Sequence, residues 1–295
     1  MRVEWKNDEQ QPISLKKLVT EHGVSHRMYQ TLKENAASFQ IQGQSIPANR
    51  EIEPKEVVTV TFPPEAADLQ VTVSHEPIDI LYEDDNWLVI NKPAGLTTVP
   101  GPANSTDTLV NRIKGHLIDE KAIDLRPHII TRLDRFTSGV VLVAKNRLAN
   151  SYANQQLADK TIDKRYLAIV KGQVADEHGI IDLPIGRVDD HFYREVTEQG
   201  KSSKTEYWVK KRLQNATVVE VKLHTGRTHQ IRVHFTHQGK PLLGDELYHG
   251  PMNFGIERQA LHAESLKFVD PFQKQTLEFQ APIPADMQTV MEEGK

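Results

Sequence analysis

The stretch SGVVLVA, residues 138 to 144, is an almost unbroken apolar run that starts four residues after an aspartate set between two arginines, Arg132-Leu133-Asp134-Arg135. Seven residues are too few for a membrane span and short for a buried helix, so the run reads as a buried strand. A buried strand needs a sheet around it, and the chain supplies neighbours. IDILYEDDNWLVINKP (78–93) reads as a hairpin turning at Asp84-Asp85-Asn86, with Pro93 ending its second strand. RYLAIVKG (165–172), SSKTEYWVKKRL (202–213) and ATVVEVKLH (216–224) read as further strands, and ANSYANQQLAD (149–159) as a helix. In THQIRVHFTHQGK the period changes: Ile231 and Phe235 lie at i and i+4, Thr228 is a candidate N-cap and Gly239 a stop. Helices and strands are mixed rather than strictly alternating, which predicts an α+β fold around a largely antiparallel mixed sheet with flanking helices.

Ahead of this region, residues 14 to 34 carry two short helical patterns broken at Gly23, followed by strands at Phe39 to Ile41 and Val57 to Phe62. The expected organisation is a small N-terminal module over residues 1–64, a linker over 65–76 and a large domain over 77–295. With 295 residues and 38% hydrophobic content the chain has ample material for a core. It has no cysteine, which excludes disulfides, thiolate metal sites and thiol nucleophiles. The polar N-terminus and the lack of a long apolar run predict a soluble protein of the cytoplasm without membrane contact.

The net charge of −4 argues against indiscriminate coating of nucleic acid. The charge is unevenly spread, however: residues 201–240 carry nine Lys or Arg against two acids, and residues 126–173 nine against three. Such clustering is either a pair of solvated faces or a localised polyanion-binding cleft.

Four features could carry chemistry. Asp134, flanked by cations, would stay ionised and act as nucleophile or charge stabiliser, unless it is merely a turn aspartate paired to an arginine. Tyr166 opens a strand and is either a core tyrosine or an aromatic plate for an unstacked base. In LHTGRTHQIRVH, Arg227 sits at the turn before a helix, where an arginine can hold a carboxylate bidentately. Metal binding by His229, His234 and His237 fits poorly, since only the last two share a helix face and no acidic ligand is near. INKPAGL (90–96) lacks the glycine pattern of a phosphate loop and reads as a strand end with a turn.

Taken together, ILYEDDNWLVINKPAGL, RLDRFTSGVVLVAK, KRYLAIVKG, KTEYWV, LHTGRTHQIRVHF, GKPLLGDELY and LHAESLKF resemble the RluA-type RNA pseudouridine synthases in order and spacing, covering residues 80–268 nearly continuously. The N-terminal module resembles a degenerate S4-type RNA-binding domain in pattern more than in identities. The resemblance implies isomerisation of uridines in structured RNA, with ribosomal RNA the leading substrate and transfer RNA the runner-up, by a monomer that needs no cofactor and no metal. It implies Asp134, Tyr166 and Arg227 as catalytic residues, Arg227 pairing with the aspartate. It also implies Arg132, Arg135, Lys204, His229 and Arg232 as RNA contacts, Arg132 filling the space of the displaced uridine. Thr131 stands where the family usually has histidine, a position expected to pack the turn or touch RNA. Two other readings compete: a silent RNA-binding or ribosome-assembly factor, and a nucleosidase or glycosidase, which would need a second carboxylate such as Asp159 or Asp163 near Asp134.

Overall fold

The computed structural model describes residues 1–102, 104–188 and 193–294. The N-terminal part runs β1 (Arg2–Lys6), β2 (Ile13–Ser14), α1 (Leu15–Glu21), α2 (His26–Lys33), β3 (Phe39–Ile41), β4 (Gln44–Ser45), β5 (Glu51–Ile52) and β6 (Val57–Thr61). Ser14 and Ser25 cap the two helices through their hydroxyls. The first strand, which the sequence reading missed, pairs antiparallel with β6. Leu15, Leu18, Val19, Leu32, Val58 and Val60 form this part's own core, and Leu148 from the following region is buried in it.

Residues 65–76 are not a loose tether. The Glu65 carboxylate meets His128 at 2.8 Å and Arg147 at 3.4 Å. Lys114 donates to the Asp68 carbonyl, and Asn111 to that of Thr72. A Cβ on Gly115 would sit 2.0 Å from the Ser74 oxygen, so only glycine lets the strap lie this close. The composition looked like a linker because its polar groups are spent on neighbours distant in sequence.

The large region continues with β7 (Ile80–Glu83), β8 (Trp87–Lys92), α3 (Leu109–Asp119), β9 (His128–Ile129), β10 (Ser138–Ala144), α4 (Arg147–Ala158) and β11 (Asp163–Lys171). It then adds β12 (His178–Asp182), β13 (Ile185–Arg187), β14 (Arg194–Val196), β15 (Lys204–Arg212), β16 (Ala216–Leu223), α5 (Gln230–His237), a 3-10 turn (Glu246–Tyr248), β17 (Leu261–Asp270), β18 (Gln275–Gln280) and α6 (Ala285–Glu293). Ten strands make one sheet in the order β12-β15-β16-β11-β17-β10-β8-β7, with β18 beside β17 and β9 beside β10. Its pairs are antiparallel apart from β10 with β17. At that parallel step Gly139 has φ +114°, and a Cβ there would lie 2.2 Å from the Ala263 oxygen.

The apolar run of β10 is buried throughout because the sheet is covered on both faces. Val141 and Val143 join α3 and α5 on one side, through Leu109, Ile113, Ile231 and Phe235. Val140 and Leu142 face α4 on the other, through Ala149 and Ala153. Further along that second face, Met287 and Val290 of α6 pack on Leu167, Ile169 and Val218. The fold is therefore the expected α+β arrangement, with the helices filling the faces that the strands leave apolar.

Candidate active site

Asp134 lies on the connection between β9 and β10, where the chain leaves the sheet and returns. The Thr137 N–H donates to the Asp134 carbonyl at 3.1 Å and closes a tight turn. The turn is clamped from several sides. Thr98 donates to the Leu133 carbonyl at 2.7 Å. Lys92, fully buried at the end of β8, donates to the carbonyls of Pro93 and Leu96 at 2.8 Å and of Arg135 at 3.2 Å. Arg258 reaches the Phe136 carbonyl at 3.2 Å while gripping Asp286 of α6 at 2.7 and 2.8 Å. Burial pulls the Lys92 ammonium down to about 7, with the Asp134 charge pulling the other way. Thr131 is buried, and its hydroxyl accepts from the Leu142 N–H at 2.9 Å, so this position packs the turn.

The carboxylate faces a cleft of about 680 Å³ between the turn, the first residues of β11 and the loop before α5. Among its described lining residues Asp134 is the one acid, against seven Lys or Arg: Arg132, Arg135, Lys160, Lys164, Lys222, Arg227 and Arg232. Tyr166 forms part of the wall and is 7% exposed. Burial, and then the charge of Asp134, holds its phenol well above the ordinary tyrosine value.

The residue that meets Asp134 is Arg232. Its Nη1 is 3.4 Å from Asp134 Oδ2, while Nε and Nη2 each lie 2.7 Å from Asp245 in a bidentate pair. The Tyr248 ring covers the guanidinium at 4.8 Å. His229 Nε2 stands 3.9 Å from the same Asp134 oxygen, and its Nδ1 is 3.0 Å from Tyr248 Oη. Burial lowers the His229 pKa, opposed by Asp134.

Several expectations change here. Arg227 does not pair with Asp134: it precedes the helix, is exposed at the cleft, and donates through Nε to the Ser202 carbonyl at 3.1 Å. Helix α5 starts at Gln230, with His229 in a left-handed N-cap conformation and without a side-chain cap, so Thr228 is not the cap. That start turns His229 and Arg232, three residues apart, toward one side. The spacing was the signal that could have found the pair. Arg232 is 5% exposed and held by two carboxylates, at the wall of the cleft. Arg132 is exposed on the cleft without a hydrogen-bond or ion-pair partner among the described residues. Arg135 also lines it, donating to the Gly95 carbonyl and lying over the Phe136 ring at 5.0 Å. Lys204 lies outside the described lining; its backbone N–H holds Thr225 Oγ1 at 2.9 Å.

Among the described lining residues the cleft holds no second carboxylate of a glycosidase pair. Asp163 is bound by Arg165 at 3.2 Å and Lys222 at 3.3 Å, and Asp159 caps the end of α4. No group of three or more His, Asp or Glu that could hold a metal ion occurs among the described residues. His234 has both ring nitrogens engaged, by Thr205 Oγ1 at 2.8 Å and the Leu183 carbonyl at 3.0 Å. No described helix is long and apolar enough to cross a membrane.

Comparison with known proteins gives the family. Residues 86–237 match the family model described as RNA pseudouridylate synthase. YlyB, an uncharacterized RNA pseudouridine synthase of Bacillus subtilis, is 43% identical over 256 residues, covering 85% of this chain and 84% of the relative. The ribosomal large subunit pseudouridine synthase D of Xanthomonas campestris is 38% identical over 229 residues, covering 73% and 69%. The solved structure of human RNA pseudouridylate synthase domain containing 1 aligns with a TM-score of 0.58 at 27% identity, over 71% of this chain and 84% of that one. With the family model matched over residues 86–237 and a relative 43% identical over 85% of this chain, the chain belongs to the RNA pseudouridine synthase family and is an enzyme that isomerises uridine within RNA.

Proposed function

We propose that this enzyme converts uridines of ribosomal RNA to pseudouridine with Asp134 as its catalytic carboxylate. The observation that carries the reading is that Asp134 is the one described acid in a cleft lined by seven cations, faced directly by Arg232. The name of the Xanthomonas relative, a ribosomal large subunit synthase, supports the choice of RNA.

The reaction breaks the bond from C1′ to N1, rotates the base, and joins C1′ to C5. The hydrogen at C5 leaves and N1 ends protonated, so nothing is gained or lost overall. Attack of the carboxylate on C1′ and removal of a proton from C2′ both use an ionised acid, and Arg232 faces that charge with its own. Tyr166 serves as the plate on which the extruded uracil stacks. Its phenol is held protonated by burial and by Asp134, which suits stacking and proton donation in the resting enzyme better than service as a base. Arg132, open on the cleft, occupies the gap that the extruded nucleotide leaves. Residues 1–64 act as an S4-like RNA-binding module docked on a catalytic domain of residues 77–295, and the protein works as a monomer in the cytoplasm.

The test is tritium release from ribosomal and transfer RNA labelled at C5 of uridine, with wild type and Asp134→Asn side by side. Release from ribosomal RNA by the wild type alone is the expected result. Release by a clean Asp134→Asn preparation would remove Asp134 from the chemistry, and release from transfer RNA alone would move the substrate.

A further inference from the structure

The sequence reading passed over Lys164, and the ion-pair network does not use it. It lies on β11 two residues before Tyr166, so both side chains project from the same face of the strand, about 6.6 Å apart along it. Both line the cleft. Arg165 between them points the other way, to Glu220 at 3.1 Å and over the Trp208 ring at 5.0 Å.

Four other partly or fully buried lysines of this region have acceptors, while the half-buried Lys204 and Lys240, which have none among the described residues, stand outside the cleft lining. Lys92 holds three carbonyls, Lys145 holds Glu83 and the Asp84 carbonyl, Lys114 holds the Asp68 carbonyl, and Lys222 holds Asp163. Lys164 is half-buried, yet its ammonium has neither a hydrogen bond nor an ion pair with any described residue. Desolvating an ammonium without an acceptor costs free energy, so the fold gains nothing by itself from a lysine here. Burial holds this ammonium below the ordinary lysine value, and an anion arriving in the cleft would offset that cost. Asp134 does not fill this role, because it pairs with Arg232 at 3.4 Å and makes no ion pair with Lys164.

We propose that Lys164 is a phosphate-binding residue of the cleft, its ammonium holding a backbone phosphate of the RNA strand whose uridine lies on Tyr166. The inference rests on the function proposed above and adds to it the residue that fixes the strand. A compact, mobile point charge suits one phosphodiester oxygen pair, whereas a base edge would call for a planar, bidentate donor. Stacking alone lets a base slide on its plate. A phosphate held one step along the same strand fixes its position.

The experiment uses the full chain with Lys164→Met, Lys164→Arg and, as a control for net charge, Lys267→Met. Lys267 is a surface lysine of β17 that meets Glu278 at 3.5 Å, outside the cleft lining. Binding to oligouridylate is followed between roughly 50 and 200 mM salt, and the slope of log affinity against log salt is read. Lys164→Met should lower the magnitude of the slope by about 0.7, as expected for one lost phosphate contact on a single strand. Lys164→Arg should restore it, and Lys267→Met should keep the wild-type slope. In tritium release from C5-labelled ribosomal RNA, Lys164→Met should raise KM by roughly tenfold with kcat within about twofold. A folded Lys164→Met with the wild-type slope overturns the proposal, and so does an equal change in Lys267→Met. Binding is read apart from turnover: a wild type that binds but releases no tritium defeats the isomerase reading, while the slope still decides the phosphate contact.

Discussion

Arg232 turns one guanidinium nitrogen to Asp134 Oδ2 at 3.4 Å and commits its other two to Asp245. The cation that faces the Asp134 carboxylate is thus held by a second acid, itself 1% exposed. This arrangement fixes the direction of a long side chain before any substrate arrives, which is the geometric requirement for electrostatic stabilisation without reorganisation.

Replacing Asp134 with asparagine keeps the shape of the turn and removes the charge. Turnover should fall by on the order of 10³-fold or more, while RNA affinity stays within a few fold. Tritium release and a filter-binding titration on the same preparation check it. A parallel loss of affinity would assign Asp134 to binding instead.

Asp245→Asn leaves the buried Arg232 guanidinium with one charged partner in place of two. Breaking a buried pair from one side costs about 3–5 kcal/mol, so urea denaturation should show a loss of that order. Activity at a temperature where the variant remains folded should also drop, because Arg232 is free to swing away from Asp134. Full activity with a large stability loss would limit Asp245 to a structural role.

Lys92 predicts a pH-dependent stability. Its folded pKa is pulled to about 7 from the ordinary lysine value near 10.5, so between those values the unfolded chain binds more protons than the folded one. Stability from this group therefore rises with pH across the window from about 7 to 10.5, and below 7 the burial penalty is fully present. Lys92→Met should remove that slope and, by leaving three carbonyls without their donor, should destabilise the fold by about 1–3 kcal/mol or more. The gap between wild type and variant should widen as pH is raised. Unfolding curves at pH 7 and pH 9.5 that move in parallel would contradict this.

A chain beginning at residue 65 keeps the strap that lies on α3 and the Glu65 pairs to His128 and Arg147. It should fold and retain the cleft but bind RNA more weakly than the full chain. It also bares Leu148, buried in the N-terminal core, and Tyr152, whose hydroxyl donates to the His22 carbonyl at 2.8 Å. A modest fall in Tm is therefore expected, partly reversed by Leu148→Gln in the truncated chain. Complete loss of the cooperative transition would move the boundary.

The main elements of the catalytic sheet were legible because their side-chain periods are local. The apolar run at 138–144 reads as a covered strand, the hairpin at Asp84 to Asn86 announced itself through its turn residues, and the helix read over 149–159 is found as Arg147–Ala158. Strand β1, Arg2-Val3-Glu4-Trp5-Lys6, does alternate charged and apolar residues, but five residues are a short pattern, and its pairing with β6 is what fixes it. Asp134 was visible as an acid in a cationic context, which the cleft around it preserves.

What the sequence by itself determined was therefore six strands of the ten-stranded sheet (β7, β8, β10, β11, β15 and β16), the turn carrying Asp134 and the excess of positive charge around it. Which cation meets that acid was decided only by the tertiary structure: the helix, capped at His229 rather than at Thr228, carries Arg232 inward, and Arg227 stays outside. The same holds for Lys92, Asp245 and Lys164. Whether a buried charge has a partner depends on contacts between residues far apart in the chain, and those exist only once the sheet, its two helical layers and the strap have closed around it.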